Sequence, residues 1–249
     1  MPGRALVIIP TVDEADNVDE VLRRARAAVP DADILVVDGV STDGTPELVE
    51  EIGRELGQIS VLRQPVRNGL GGAYRAGFEQ GLEQGYDVLV EMDADLSHDP
   101  ADLPALIGAA EGGARLAIGS RYVPGGNIPN WPFLRRLISR GGNLYVNLVL
   151  GLSVRDATAG FRAFRAETLR DIGAGSTRAG GYAFQVEMAY RVSRTGGGIV
   201  ELPITFHDRV RGNSKMSGRI VAEAMLLVTR WAIRDRILRR RPELTTTGG

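Results

Sequence analysis

The chain has 249 residues and 43% hydrophobic content, enough for one sizeable α/β domain or a domain with a small appendage. It has no cysteine, which excludes disulfides, thiolate metal sites and a cysteine nucleophile. A formal net charge of −1 argues against general nucleic-acid binding, and no apolar run is long enough to cross a bilayer.

The amino terminus leads into a strand-like Arg4–Ile9 with no signal-peptide pattern before it, which fits a cytoplasmic protein. Asp16–Ala28 carries Val18, Val21, Leu22 and Ala25 at helical spacing. A strand follows over Ile34–Val37, a helix from Pro46 to Leu56, a short strand over Ser60–Leu62 and a helix over Gly71–Glu83. Val88–Met92 is the next strand, Leu103–Ala110 a helix and Leu116–Ile118 another strand. This alternation predicts βαβ units in a mostly parallel, twisted sheet flanked by helices. Beyond Arg121 the Gly-, Pro- and Asn-rich segment Pro124–Pro132 predicts a mobile loop. Helices are expected over Arg135–Leu150, Arg165–Ile172 and Ala183–Arg194, a strand over Ile199–Phe206 and a long helix over Arg219–Leu238.

That last helix is amphipathic. Ile220, Val221, Ala224, Met225, Leu227, Val228, Trp231 and Ile233 cover a wide apolar face. Arg230, Arg234, Arg236 and Arg239–Arg241 add cations, and ten basic side chains against two acidic lie between Arg209 and Arg241. Such a helix suits an anionic headgroup region, with Trp231 at its boundary. The competing reading is a core-packing helix with a solvated basic end.

Chemistry concentrates where strands end. Asp93 and Asp95 follow the Val88–Met92 strand, and side chains two apart in extended chain share a face. In open α/β sheets ligands bind just past the carboxyl ends of strands. Two like charges so close repel unless a cation joins them, and hard carboxylate oxygens suit magnesium or manganese. The alternative is a solvated turn. Asp38 ends its strand on the same sheet edge, where it can accept hydrogen bonds from a base or ribose, unless its Ser41–Thr45 loop only caps a helix. Asn68 to Gly72 lacks the third glycine of a dinucleotide fingerprint and reads as a tight strand-to-helix turn. His98, one of two histidines, has either a direct role or a capping or solvated one. Lys215 is the one lysine beside 29 arginines, so an ammonium is expected to matter there.

Seven motifs then occur in order. They are Pro10-Thr-x-x-Glu14, Asp38-x-x-Ser-x-Asp-Gly-Thr45, Met92-Asp-Ala-Asp-Leu-Ser-His98 and Gly119-Ser-Arg-Tyr122. Asp156-Ala-Thr-Ala-Gly-Phe-Arg162, Gly181-Tyr-Ala-Phe-Gln-Val-Glu187 and Glu201-Leu-Pro-Ile204, with Arg209 and Ser214-Lys215, complete the series. Together they resemble the family 2 inverting glycosyltransferases, and within these the dolichol- or polyprenol-phosphate mannose synthases. The residues of 218–241 read as an appended basic helix and those of 242–249 as a disordered tail, while the resemblance implies a GT-A fold over residues 1–217. It implies mannose transfer from GDP-mannose to a polyprenyl phosphate, with Mg2+ or Mn2+ as cofactor, in a protein lying at the inner face of the membrane and open to a membrane-protein partner.

Residue by residue, the resemblance implies that Pro10, Val12, Glu14, Val37 and Asp38 line the nucleoside pocket. Asp93, Asp95 and the backbone of Ala94 would hold metal and diphosphate. Arg121, Arg135 and Ser139 would grip the acceptor phosphate, and Arg209 and Lys215 would close over the donor diphosphate. Asp95, Arg121, Arg209 and Lys215 are the expected catalytic group. Val12-Asp13 stand where the family usually has Tyr-Asn, and Asp38-Gly39 where it usually has two aspartates. A phosphate monoester is largely a dianion near neutral pH, so the acceptor needs no general base. What it needs is charge neutralisation on the leaving diphosphate and orientation of two anions that repel. Another nucleotide hexose, such as UDP-glucose, is the alternative donor. A catalytically silent partner of a membrane complex is the reading of a different class.

Overall fold

In the computed structural model, residues 3–208 and 218–234 are described, with the side chains of Tyr182 and of residues 218–224 left aside. Seven strands form one sheet: β1 (Ala5–Thr11), β2 (Asp33–Asp38), β3 (Ile59–Arg63), β4 (Val88–Glu91), β5 (Leu116–Ser120), β6 (Arg162–Arg165) and β7 (Ile199–Pro203). Their order across the sheet is β3-β2-β1-β4-β6-β5-β7. Only β6 runs against the rest, antiparallel to both β4 and β5. β1, β2 and β4 are near-continuous apolar runs because parallel strands are covered on both faces.

The helices are α1 (Ala15–Ala28), α2 (Thr45–Leu56), α3 (Gly69–Glu83), α4 (Leu103–Glu111), α5 (Phe133–Leu150), α6 (Ala166–Asp171), α7 (Gly181–Arg194) and α8 (Gly218–Ala232). Alternate strand residues feed two cores, as the period of two requires. Leu6, Ile8 and Leu89 pack with α3, α7 and the inner faces of α5 and α8. Val7, Ile9 and Val90 pack with α1, α2 and α4. The glycines of α3 let it lie close on the sheet. A Cβ at Gly77 would sit 2.5 Å from Ile8 Cγ2, and one at Gly81 2.5 Å from Leu89 Cδ2. This glycine-rich helix is therefore shaped for packing along its length and for ligand approach only at its start.

Three elements differ from the sequence expectation. The helix expected over Arg165–Ile172 is present as α6 (Ala166–Asp171), but the strand that leads into it, β6, is not among the elements expected from sequence. Arginines at both ends of this four-residue strand mask its pattern, yet Arg162 is fully buried. β7 stops at Pro203, which has no N–H to donate, and a single bridge pairs Thr205 with Asn127. The Pro124–Pro132 segment is irregular but packed, with Ile128 and Trp131 buried. α8 lies against α5 and α7: Val228 is buried, and the hydroxyls of Tyr145 and Thr229 are 2.6 Å apart. The expected continuation to Leu238, the basic run Arg239–Arg241 and the expected tail lie outside the described residues.

Candidate active site

A cleft of about 480 Å³ opens along the carboxyl edge of the sheet. The end of β1 contributes Pro10, the loop after it Val12 and Glu14, and the loop after β2 Gly39. The end of β4 supplies Asp93, Ala94 and Asp95, and the end of β5 leads to Arg121. Because β6 runs backwards, the segment entering it reaches the same edge and adds Thr158, Ala159 and Gly160.

The carboxylates sit on a stiff turn. Leu96 adopts a left-handed φ of 61°, and the Ser97 N–H donates to Asp95 Oδ1 at 3.0 Å. Asp95 is buried, whereas about a third of the Asp93 side chain is exposed. The Tyr74 hydroxyl donates to Asp93 Oδ1 at 3.4 Å, and burial, helped by Asp93, pushes this phenol well above its usual range. His98 is buried and stacks on Phe161 with centroids 4.9 Å apart. Its Nδ1 accepts the Asp93 N–H at 3.3 Å. The ring is buried and not solvated, and it lines the cleft.

This donor set fits a hard divalent cation. A Cβ at position 160 would stand 3.5 Å from Asp93 Oδ2, so Gly160 leaves a cradle in front of that carboxylate. Among the described residues no group of three acidic, His or Cys side chains gathers here or elsewhere. Two carboxylates with the remaining shell drawn from ligand phosphates is the usual arrangement for magnesium. Behind them Glu91 is fully buried, opposite Arg162 across the β4–β6 ladder. Burial raises the Glu91 carboxyl to about 8 and lowers the Arg162 guanidinium to about 10, each opposed by the other's charge. Arg162 donates to the carbonyls of Ala157, Ala159 and Gln185, so it braces the loop that forms the cleft wall.

At the other end, Asp38 is buried and committed to its own loop. It accepts from Thr11 Oγ1 at 3.1 Å, Ser41 Oγ at 2.5 Å and Ser41 N–H at 2.9 Å. The Val37 side chain belongs to the core, and neither residue lines the cleft; Gly39 does. Asp13, at a φ of 55°, ties three loops: its N–H donates to Ser41 Oγ, and its carboxylate accepts from Thr42 N–H and Arg67 Nη2. Val12 and Gly39, the two departures from the family pattern, touch. A Cβ at 39 would lie 2.8 Å from Val12 Cγ2, so valine at 12 leaves room for little besides glycine at 39.

Arg121 forms the opposite wall and is buried against Asp156. Its N–H, Nε and Nη2 donate to the Asp156 carboxylate at 3.0, 2.7 and 2.6 Å, and Nη2 also donates to Thr158 Oγ1 at 2.9 Å. Burial works to raise the Asp156 carboxyl, but the charge and hydrogen bonds of Arg121 outweigh it and hold it below the usual range. Arg135 and Ser139, on α5, are not among the residues that line the cleft. Arg135 lies 3.8 Å over the Trp131 ring and pairs with Asp208 at 2.7 Å, and Ser139 accepts from the Tyr122 hydroxyl at 2.6 Å. Arg209 and Lys215 lie outside the described residues.

Sequence reasoning assigned no role to Gln64, Arg67, Thr158, Gly160, Gln185 or Phe206, all of which line the cleft. Thr158, Gly160 and Gln185 sit inside quoted motifs and could have been found there. Gln64, Arg67 and Phe206 carry no local signal, since only folding brings their loops to this edge.

The glycosyl transferase family 2 model matches residues 6–173, more than half of the chain. The chain belongs to glycosyl transferase family 2. Within this family it is 52% identical over 233 residues to the undecaprenyl-phosphate mannosyltransferase of Micrococcus luteus, covering 94% of this chain and 96% of that one. It is 46% identical over 239 residues to the polyprenol monophosphomannose synthase of Mycolicibacterium smegmatis, with 96% and 90% covered. Among solved structures, a mannosyltransferase from Pyrobaculum calidifontis in complex with GDP-Man and Mn2+ superposes with a TM-score of 0.62 at 17% identity, covering 97% of this chain and 66% of that one. The seven-stranded sheet is accordingly the GT-A fold of a family 2 glycosyltransferase.

Proposed function

We propose that the chain transfers mannose from GDP-mannose to a polyprenyl phosphate, with inversion at the sugar. The observation that carries this reading is one cleft with strand-end carboxylates on one side and a buried, oriented arginine on the other. That is the layout for two anions that must be brought together despite their repulsion. The printed names of the two close relatives supply the sugar and the lipid phosphate, and the Pyrobaculum calidifontis structure supplies GDP-Man as a donor for this fold.

In this mechanism an oxygen of the lipid phosphate attacks the anomeric carbon from the face opposite the diphosphate. The new carbon–oxygen bond forms as the bond to the β-phosphate breaks, and GDP leaves with that electron pair. No proton need be removed, because the acceptor arrives largely as a dianion. Asp93 and Asp95 would hold Mg2+ or Mn2+, whose chemistry is to offset charge on the departing diphosphate. Arg121 orients the acceptor phosphate through its fixed plane, and Arg135 and Ser139 add contacts to that phosphate once it is bound. Pro10, Val12 and Glu14 hold the nucleoside, with Val37 and Asp38 shaping that wall from behind. Arg209 and Lys215, by their place in the family pattern, close over the diphosphate.

The lipid acceptor calls for a surface that meets a bilayer, and α5 supports one. Phe133, Leu134, Leu137, Ile138, Leu144 and Leu148 are exposed along it, while Asn143, Val146 and Leu150 on the other side are buried. Met225, Leu226 and Ile233 of α8 and its end are exposed nearby, with Arg230 and Arg234 beside them. No helix among the described residues is long and apolar enough to span a membrane. The exposed apolar side chains of α5 and α8, with Arg230 and Arg234 beside them, support a peripheral association. Calorimetric titration with GDP-mannose and UDP-glucose, each with manganese, followed by transfer to undecaprenyl phosphate, tests the whole reading. GDP-mannose should bind and turn over; productive use of UDP-glucose in its place would replace the donor.

A further inference from the structure

Arg121 is constrained from farther away than Asp156. Glu201, on the edge strand β7, stands opposite Ile118 of β5 in the parallel ladder. Its Oε2 accepts the Arg155 N–H at 2.7 Å and its Oε1 accepts the Asp156 N–H at 2.9 Å. Two successive amides converging on one carboxylate fix the peptide between them and so the direction in which the Asp156 side chain leaves the backbone. Asp156, fully buried, then accepts three N–H groups of Arg121. The constraint runs from the sheet edge, through one loop, to a guanidinium on the cleft wall.

We propose that Glu201 is a positioning residue for Arg121: acting through Asp156, it sets the plane in which the guanidinium meets the acceptor phosphate. The inference rests on the proposed function for the identity of that phosphate, but not for the existence of the relay. A carboxylate is required because both amides need an acceptor. The side-chain amide of Glu201→Gln offers one oxygen, and its NH2 would face a backbone N–H. Asp156 would then lose half of its anchor and Arg121 its fixed plane.

The test uses the full chain, with GDP-mannose and undecaprenyl phosphate in detergent. Glu201→Gln should lower kcat/KM for the lipid phosphate about tenfold, the size of one lost hydrogen bond to a charged group. KM for GDP-mannose should stay within about twofold, a split that general loosening of the fold would not give. Combined with Arg121→Lys, the second change should add little, because the group it acts through is already gone. Hydrogen exchange of the Arg121 Nε–H, followed by nitrogen-15 NMR on the ligand-free chain, should accelerate about tenfold in Glu201→Gln as the local opening becomes easier. Equal losses toward both substrates, additive effects in the double variant, or unchanged exchange would overturn the proposal. Absence of mannose transfer by the unmodified chain would instead fault the functional reading, and the exchange measurement would still decide the relay.

Discussion

Asp93 and Asp95 are separated by a single residue, yet their surroundings differ. Asp95 is buried and bonded to the Ser97 N–H, while Asp93 reaches the cleft beneath the open space at Gly160. Under the proposed function, removing either leaves one carboxylate for a cation that must also meet a diphosphate. Asp95→Ala should therefore abolish transfer while thermal unfolding stays cooperative. Turnover within about twofold of the unmodified chain at limiting metal would contradict the metal-holding role. Asp156 carries a pH signature. Its folded-state pKa lies below the ordinary carboxyl value, so its stabilisation is complete above that value and is lost as pH falls through the lowered one. Asp156→Asn breaks a buried pair and should cost about 3–5 kcal/mol near neutral pH. The penalty should shrink below about pH 4, where the native carboxyl also loses its advantage. Thermal melts across that range check both magnitude and sign.

Among elements, α3 and α5 make opposite demands on their surfaces. α3 is flattened by glycine so that it can approach β1 and β4. A methyl at position 77 would enter the space of Ile8, and Gly77→Ala should destabilise the fold by about 1–3 kcal/mol through overpacking. Chemical denaturation would measure this, and an unchanged midpoint would mean the helix can retreat freely. α5 instead leaves a stripe of large apolar side chains uncovered. Replacing Leu137 and Leu144 together by Glu should reduce sedimentation with anionic liposomes at least about tenfold, since each buried leucine contributes about 1.5–3 kcal/mol. Transfer to a short, water-soluble prenyl phosphate should persist. The stripe was only half legible in sequence, because apolar helical spacing looks alike whether a core or a bilayer covers it. The parallel strands were legible as apolar runs ending in Asp38, Asp93 and the Gly119–Arg121 turn. β6 was not, because the arginine that satisfies three carbonyls inside the core looks like solvated charge on paper. Nor was the Arg121–Asp156 pair, whose members are brought together from separate loops by the β5–β6 ladder.

At the scale of the whole molecule, the reversed strand organises the cleft. β5 runs out to the carboxyl edge and β6 starts back from it, with Ile118 and Arg162 paired at the point of departure and return. Everything between them is a single excursion beginning and ending at adjacent positions. It contains Arg121, Trp131, all of α5 and Asp156, whereas Pro10, Val12 and Glu14 on the far wall and the strand-end carboxylates Asp93 and Asp95 come from chain that precedes it. Such a segment can be exchanged as a cassette. A relative with a different acceptor could donate its own residues 121–161 equivalent, the splice points falling inside one ladder that already fits. The chimera should keep nucleotide binding within about threefold and take on the donor protein's acceptor preference, if acceptor recognition is confined to the loop as its two-stemmed layout implies. Acceptor choice could then drift in such proteins without disturbing the machinery that activates the sugar, and one strand laid down backwards would be the hinge of that independence.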